Sequence, residues 1–405
     1  PRVNEVCWSE AFNLISKKIA GLNGNQIAGL VGDLCDAESM YAFKQMMNSL
    51  GAKIECRQDG SKIETEYRSG YLFNSGVAGI DDADAVLLVG SNPRHESPVL
   101  NARLRQRWLT RECKFANIGP EVDLSYKIEQ LGDSAGILQD ILDGKNNFAD
   151  VLDKAKKPMI ILGQGALNRM DSHGILKLVY DIVDKYSLIK DDWNGFNVLQ
   201  TAASRVAALD MELVRDGGVD AIISGAEGGD IKVVYNLGAD EIDSKRLNKA
   251  FVIYQGSHGD EGVRNANVIL PGTAYTEKSG TYLNTEGRVQ RTQQAIFGPG
   301  EAREDWTIFR ALSEVIGNTL SFDDIVQLRA ALIEDYPHFA ILDRKPIAEW
   351  ANTGTMAPLL NVGFTMAISD FYATNPIARA SETMKECRNA MSNPNHAEGA
   401  TGTNG

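Results

Sequence analysis

Three stretches of this 405-residue chain carry residue types able to grip a ligand. In AVLLVGSNP (Ala85 to Pro93) an apolar run ends at Gly90 and turns through Ser91 and Asn92. Such a turn, at the carboxyl end of a parallel strand, is where α/β proteins hold nucleotides: glycine lets a phosphate approach the backbone, and Ser and Asn offer donors to phosphate or ribose. The same residues also serve as punctuation between a strand and a helix, and the residues alone leave both readings open. The second stretch, LGQGALNR (Leu162 to Arg169), has Gly163 and Gly165 but no third glycine at the fingerprint spacing and no acidic residue on a following strand, so it reads as a tight turn packing helix on sheet. The third is GSHGDEGVRNANVILPGTAYTEKSGTYLNTEGRVQ (Gly256 to Gln290). Here a short strand enters Pro271, and Glu277, Gly280, Thr281, Asn284, Glu286, Gly287 and Arg288 follow in a loop too polar and glycine-rich for a helix. Loops of this sort contact a ligand or are pinned by their own hydrogen bonds.

Other chemistry is excluded by pattern. The five histidines, His95, His173, His258, His338 and His396, lie in unrelated contexts, with no Gly-x-Ser-x-Gly elbow and no His-Glu-x-x-His helix. His95 and His258 sit in strand-end loops and read as turn residues. The five cysteines, Cys7, Cys35, Cys56, Cys113 and Cys387, never form a Cys-x-x-Cys pair and read as reduced, mostly buried thiols, the usage of a cytoplasm or mitochondrial matrix.

The elements that must position these stretches are legible as short apolar runs closed by Gly, Asn or Asp. They are Ile27 to Val31, Lys53 to Cys56, Ala85 to Val89, Phe115 to Ile118, Met159 to Leu162, Ala221 to Ile223, Lys232 to Tyr235, Phe251 to Tyr254 and Val268 to Leu270. Continuous apolar strands imply sheets covered on both faces. Between them, Trp8 to Ile19, Ala37 to Leu50, Val99 to Trp108, Ile175 to Tyr186 and Trp306 to Ile316 repeat apolar residues at helix spacing. Strand and helix alternating predict doubly wound parallel sheets. The turns Leu-Val-Gly-Ser-Asn-Pro and Tyr-Asn-Leu-Gly-Ala-Asp look like counterparts in two related sheets.

The hydrophobic fraction of 43% and charged fraction of 23% are those of a folded chain, and its length suits two or three domains. A net charge of -13 repels phosphate backbones, so nucleic acid is not an expected partner. No apolar run approaches the roughly 18 residues that cross a bilayer, so no direct membrane insertion is expected. The chain begins without Met, at what reads as the tail of a connector.

The segment LPGTAYTEKSGTYLNTEGRVQRT, followed by PGEAREDWTIFRALSEVIG, resembles the molybdopterin oxidoreductase superfamily, where a strand ending in Leu-Pro leads to Glu, Gly-Thr, Asn and Arg-x-Gln. One branch matches in more detail. IECRQDG, AGIDDADAVLLVGSNPRHESPVLNARLRQRW and DFYATNPIARASETMKEC are similar to the C-terminal half of the large iron-sulfur subunit of respiratory complex I, NADH:quinone oxidoreductase, the bacterial G subunit or mitochondrial 75 kDa subunit. The resemblance runs from about Pro1 to Cys387.

That resemblance implies two doubly wound domains of the formate dehydrogenase type, one inserted in the other. Residues 1–57 with 206–317 form the first, 58–205 the inserted one, 318–391 a mostly helical extension and 392–405 a disordered tail. It implies a structural, non-catalytic part of the peripheral arm of complex I, on the matrix or cytoplasmic face of the membrane. The expected partners are the other hydrophilic-arm subunits, with no cofactor or metal in this chain and the iron-sulfur clusters in a preceding half or a partner. Residues Gly90, Ser91, Asn92, Gly238, Gly256, His258, Glu277 and Asn284 are then vestigial cofactor positions. The loop Tyr275 to Gln290 would be held by internal hydrogen bonds of Glu277, Asn284, Glu286 and Arg288. Where active members place a Cys, selenocysteine or Ser ligand to molybdenum, this chain has Cys56 at a strand end and Ser61 and Ser69 beyond it. Asp240 puts a carboxylate where a nucleotide phosphate would lie. The competing expectation is a molybdopterin-dependent oxidoreductase fragment holding a guanine dinucleotide cofactor at Gly90 to Pro93 and Gly256 to His258.

Overall fold

A computed structural model describes residues 4–392. The chain opens a first sheet with β1 (Ile27–Val31) and β2 (Lys53–Glu55). It then leaves to build a second from β3 (Ala85–Val89), β4 (Lys114–Ile118), β5 (Glu129–Gly132) and β6 (Pro158–Leu162). A ribbon of β7 (Ile189–Lys190) and β8 (Trp193–Asn194) precedes its last strand, β9 (Phe196–Val198). The return adds β10 (Val233–Leu237), β11 (Phe251–Gly256) and β12 (Val268–Pro271) to the first sheet, then a hairpin of β13 (Thr281–Leu283) and β14 (Val289–Arg291).

The sheets run β12-β11-β10-β1-β2 and β5-β4-β3-β6-β9. All neighbours within them are parallel. The two are wound alike. β10 and β3 hold the middle place, their next two strands step outward to one edge, and the other side is filled from elsewhere in the chain.

Side-chain alternation gives the inner strands β1, β3, β6 and β10 two buried faces. In β1, Ala28 and Leu30 join Val219, Ile222 and Ala226 of the helix Gly218–Gly228 in one cluster. Ile27 and Val31 face the opposite layer with Phe12, Phe43 and Phe309, from the helices Trp8–Ile19, Ala37–Ser49 and Asp305–Ile316. Phe43 stacks on Phe309 at 5.0 Å between ring centroids. In the second sheet Val86 and Leu88 pack with Leu100 and Leu104, while Leu87 and Val89 belong to the same cluster as the first sheet's Ile27 and Val31. One apolar core therefore continues from sheet to sheet.

Three expectations change. Ala221 to Ile223 is not a strand but lies inside the helix Gly218–Gly228; Val219, Ile222, Ile223 and Ala226 repeat at helix spacing, and a short apolar run cannot tell the two apart. The edge strands β5 and β9 lacked a signal, because Glu129-Gln-Leu-Gly and Phe196-Asn-Val are short and partly polar. The extension after 318 is helical at Ile325–Asp335, Pro376–Ala380 and Glu382–Ser392, but between Ile341 and Asp370 it contains no helix. Pro346, Gly354, Pro358 and Gly363 interrupt any helical period there.

That segment is a strap over the second sheet's helices. Trp350 packs on Phe196 at 5.0 Å and on Tyr180 at 5.3 Å, Leu360 N–H donates to Asp171 at 2.8 Å, and Phe364 N–H donates to the Asp133 carbonyl at 2.8 Å. Of the tail expected to be disordered, 393–405 lies outside the described residues.

Candidate functional site

In parallel sheets ligands gather beyond the carboxyl ends of strands, where the winding reverses. Here that is the gap between β10 and β1 in one sheet and between β3 and β6 in the other. The two gaps are built alike. Gly238 and Gly90, after β10 and β3, take left-handed φ values of 62° and 56°. Their N–H groups donate to the carbonyls of Gln255 and Ile118, each at 2.8 Å. Gly32 and Gly163, after β1 and β6, donate to Leu237 and Val89 at 2.8 and 2.9 Å. A Cβ on Gly32 would lie 1.8 Å from the Gly238 carbonyl oxygen and one on Gly163 would lie 2.5 Å from that of Gly90, so backbone passes backbone at both points. The counterpart turns read from the sequence thus occupy equivalent places.

The C-terminal segment fills these gaps. At the second sheet the Thr365 carbonyl oxygen would lie 2.5 Å from a Cβ on Gly165, and Asn92 Nδ2 reaches Met366 Sδ at 3.5 Å. Ser91 and Asn92 are buried beneath it, with Ser91 Oγ and Asn92 N–H donating to Glu96 at 3.2 and 2.6 Å. The His95 ring meets Phe371 at 5.7 Å. At the first sheet Pro376 and Ile377 close a cavity of about 60 Å³ lined by Gly238, Gly256, His258 and Cys35. Arg379 anchors this end, with Nη2 2.6 Å from Glu241 and Nε paired to Asp260. His258 Nδ1 lies 3.0 Å from Ser257 Oγ, and its carbonyl accepts the Tyr254 hydroxyl at 2.8 Å.

Between the gaps lies a polar cluster that the sequence did not announce. Arg205 is 1% exposed and pairs with Asp59 at 3.1 Å. Gln58 donates to Asp33 at 2.7 Å and accepts the Glu241 N–H at 3.1 Å. Burial pushes the Asp33 carboxyl up to about 6, against the pull of Arg205 and Gln58. With Gln164, Thr201 and the strap residues Ala367 to Asp370, Asp33, Asp59 and Glu241 line a cavity of about 230 Å³. Asp33 follows the β1 turn glycine and could have been suspected; Arg205 stands in no recognisable motif. Asp240 lines the smaller cavity, but its oxygens accept the Tyr254 hydroxyl at 2.9 Å and Gly262 N–H at 2.8 Å, and burial raises its carboxyl.

The residues directly at the strand-end gaps leave little room for the molybdopterin dinucleotide suggested by the resemblance. The cavities there, of about 60 and 230 Å³, fall below the roughly 300–1,000 Å³ of a small-molecule site, although a wider cleft of about 750 Å³ opens beside them between His95 and the residues Asp370 to Tyr372. Cys56 is 1% exposed, and burial pushes its thiol up to about 12, whereas a metal ligand needs the thiolate. Ser61 and Ser69 are buried as well. Among the described residues no group of His, Cys, Asp and Glu could hold a metal ion.

The polar loop is closed on itself and on its neighbours. Glu277 accepts the Ala274 N–H at 2.9 Å, and Asn284 Oδ1 accepts the N–H groups of Glu286 and Arg288 at 3.2 and 3.0 Å. Arg288 Nε donates to Glu286 at 2.6 Å. Beneath, Lys278 is 5% exposed and bridges Asp305 and Asp36, the latter at 2.7 Å. Asp36 also caps the helix Ala37–Ser49 through Ser39 N–H at 2.8 Å. Glu277 and Asn284 are therefore occupied by the loop's own backbone.

Residues 3–315 match the family described as molybdopterin oxidoreductase, and residues 344–387 match the C-terminal family of the NADH-ubiquinone oxidoreductase G subunit. The chain is 40% identical over 403 residues to the NADH-ubiquinone oxidoreductase 75 kDa subunit of Reclinomonas americana, covering 94% of this chain and 58% of that protein. It is 38% identical over 391 residues to the mitochondrial NADH dehydrogenase (ubiquinone) iron-sulfur protein 1 of Solanum tuberosum, covering 95% of this chain and 52% of that protein. It thus spans a little over half the length of these relatives. Among solved structures, the formyltransferase/hydrolase complex (FhcABCD) of Methylorubrum extorquens shares the fold, with a TM-score of 0.57 and 14% identity over 78% of this chain and 97% of that one.

Proposed function

This chain belongs to the molybdopterin oxidoreductase family, and from that premise we propose that it is a structural part of the peripheral arm of respiratory complex I, NADH:ubiquinone oxidoreductase, and binds no cofactor itself. One observation carries the reading. The strap and the helices after it place Thr365, Met366, Pro376 and Ile377 where a ligand would enter both strand-end gaps. A scaffold that seals its own ligand crevice with its own chain supports neighbouring subunits rather than turning over a substrate.

On this reading the iron-sulfur clusters that carry electrons from NADH toward quinone lie outside residues 4–392, and the other hydrophilic-arm subunits are the partners. No helix among the described residues is long and apolar enough to cross a membrane, which accords with a peripheral position on the matrix or cytoplasmic side. The test is affinity purification of the tagged chain from its native membranes, with NADH:quinone activity and metal content measured on the product. The expected product carries complex I subunits, iron and no stoichiometric molybdenum. Recovery of the chain alone, loaded with molybdenum or tungsten, would replace this reading with the oxidoreductase one.

A further inference from the structure

Beside β2, the edge strand of the first sheet, a cavity of about 230 Å³ is lined by donors from three parts of the chain. Arg57, Ser61 and Lys62 come from the loop that leaves β2, His173 from the helix Ser172–Lys185 of the second sheet, and Gly217 to Asp220 from the start of the helix Gly218–Gly228. None of the glycines at the two strand-end gaps lines it.

The helix start is held in place with donors to spare. It begins at Gly217 and Gly218, with φ of 76° and 61°, and no side chain caps it. Gly218 N–H donates to the Arg215 carbonyl at 2.9 Å and Ala221 N–H to that of Gly217 at 3.2 Å, but the N–H groups of Val219 and Asp220 meet no acceptor among the described residues. Unpaired donors at the positive end of an 11-residue helix attract an anion.

Ser61 gives an independent sign. It is 2% exposed and its Oγ is buried without a hydrogen-bond partner, although its N–H is held by Asp59 Oδ1 at 3.2 Å. Folded chains rarely bury a hydroxyl with nothing to receive its proton, so this one points to a ligand that accepts from it. Lys62 N–H donates to the Leu167 carbonyl at 3.0 Å, while its half-buried side chain has no carboxylate partner among the described residues. Arg57 spends Nε and Nη2 on Glu55, each at 2.8 Å, and keeps Nη1. His173 Nδ1 lies 3.3 Å from Glu64 Oε1. Asp220 is the one acidic residue of the lining, and it is exposed.

We infer that this cavity binds a phosphate group. Donors converging from a loop, a helix terminus and a helix of the other sheet suit the spread oxygens of a tetrahedral dianion better than the two coplanar ones of a carboxylate. At about 230 Å³ the cavity is smaller than the roughly 300–1,000 Å³ that enclose a whole small molecule, so it takes free phosphate or the phosphate end of a monoester whose remainder stays in solvent. A bound phosphate ties the loop after β2 and the helix Gly218–Gly228 to His173 of the second sheet, and it leaves the strap-filled gaps untouched.

The test is titration of the full chain with inorganic phosphate, read by calorimetry and by melting against sodium chloride of equal ionic strength. The wild type is expected to melt about 3 °C higher near saturation. Ser61→Ala and Lys62→Gln are each expected to bind phosphate roughly tenfold more weakly. Because Ser61 Oγ has no partner in the fold, Ser61→Ala without phosphate is expected to melt no lower than wild type. Glycerol 3-phosphate run in parallel separates the sources: affinity no tighter than that of phosphate assigns the site to the free ion, and tighter binding assigns it to a monoester. No phosphate-specific rise in the wild type, or full affinity in both variants, would overturn the site and leave the complex I reading standing. A lower melting temperature for phosphate-free Ser61→Ala would overturn it too, since the hydroxyl would then serve the fold alone.

Discussion

The Oε2 atom of Glu286 accepts a hydrogen bond from the Val77 N–H at 2.9 Å, joining the hairpin after the first sheet to the segment that leads into the second. Burial works against this carboxylate, but Val77, Arg288 and Asn284 together hold it below the usual range. Nearby, the Phe73 N–H donates to the Thr285 carbonyl at 2.8 Å, and Thr285 Oγ1 donates to the Val198 carbonyl at 3.1 Å. The polar loop is thus a clasp between sheets. Glu286→Ala removes charge-assisted bonds and leaves the half-buried Val77 N–H without this partner, a loss of about 2 kcal/mol. For a chain this long that lowers the melting temperature by roughly 2–3 °C. An unchanged melting curve would show that the clasp bears no weight.

A second clasp centres on Asp210. Arg68 donates to both its oxygens, at 2.8 and 2.7 Å, the Tyr71 hydroxyl donates at 2.8 Å, and His338 Nε2 lies at 2.8 Å. Three chain regions meet on one carboxylate, its side chain 1% exposed. Burial opposes the charge, while His338 and Arg68 depress the carboxyl below its ordinary range. Asp210→Asn leaves Arg68 without its buried counter-charge and is expected to cost about 3–5 kcal/mol. Because the folded carboxyl titrates lower than the unfolded one, this stability is present above about pH 4 and is lost as pH falls through the folded value. The deficit of Asp210→Asn in urea unfolding should therefore shrink toward acid pH, and a deficit constant from pH 7 to pH 3 would contradict the assignment.

The strands β1 and β3 were legible residue for residue, because a fully apolar run closed by Gly-Asp or Gly-Ser has no competing period. Ala221 to Ile223 failed because a three-residue apolar run cannot exclude the helix period that Val219, Ile222, Ile223 and Ala226 carry. The polar loop's internal bonds were legible too, since Asn284 to Arg288 carry the residues that bend a hairpin. The strap was not. Its place depends on contacts such as Trp350 with Phe196 and Phe364 with Asp133, between segments more than a hundred residues apart, which no local pattern records. Arg205 was invisible for the same reason, its partner Asp59 lying on a distant loop.

Arg379 holds the strap's far end by pairing with Glu241 and Asp260 at the first sheet. Burial opposes its charge, but those two carboxylates raise the guanidinium's pKa above its usual value. Arg379→Ala removes the anchor and leaves Glu241, already raised by burial, beside Asp240 and Asp260. Amide hydrogen exchange across 365–380 is expected to speed up at least tenfold, while β1 and β10, each buried along its whole length, keep their protection. Equal exchange in variant and wild type would mean that packing alone retains the segment.

Asp33 supplies a pH signature for the sealed crevice. Its carboxyl titrates at about 6 because burial disfavours the charge more than Arg205 and the Gln58 amide favour it, with Asp59 and Glu241 adding repulsion. Below about pH 4 folded and unfolded chains both carry the proton, and the group leaves stability untouched. Between about 4 and 6 only the unfolded chain releases it, so the folded state loses ground as pH rises; above 6 both are ionised and the loss is constant. Asp33→Asn cannot ionise and escapes that loss, which amounts to at most about 3 kcal/mol. The melting temperature of the variant relative to wild type should therefore climb from pH 4 to pH 6.5 by roughly 3 °C and then level off. A difference that stays flat across this range would mean that Asp33 keeps an ordinary carboxyl and that water reaches the crevice beneath the strap.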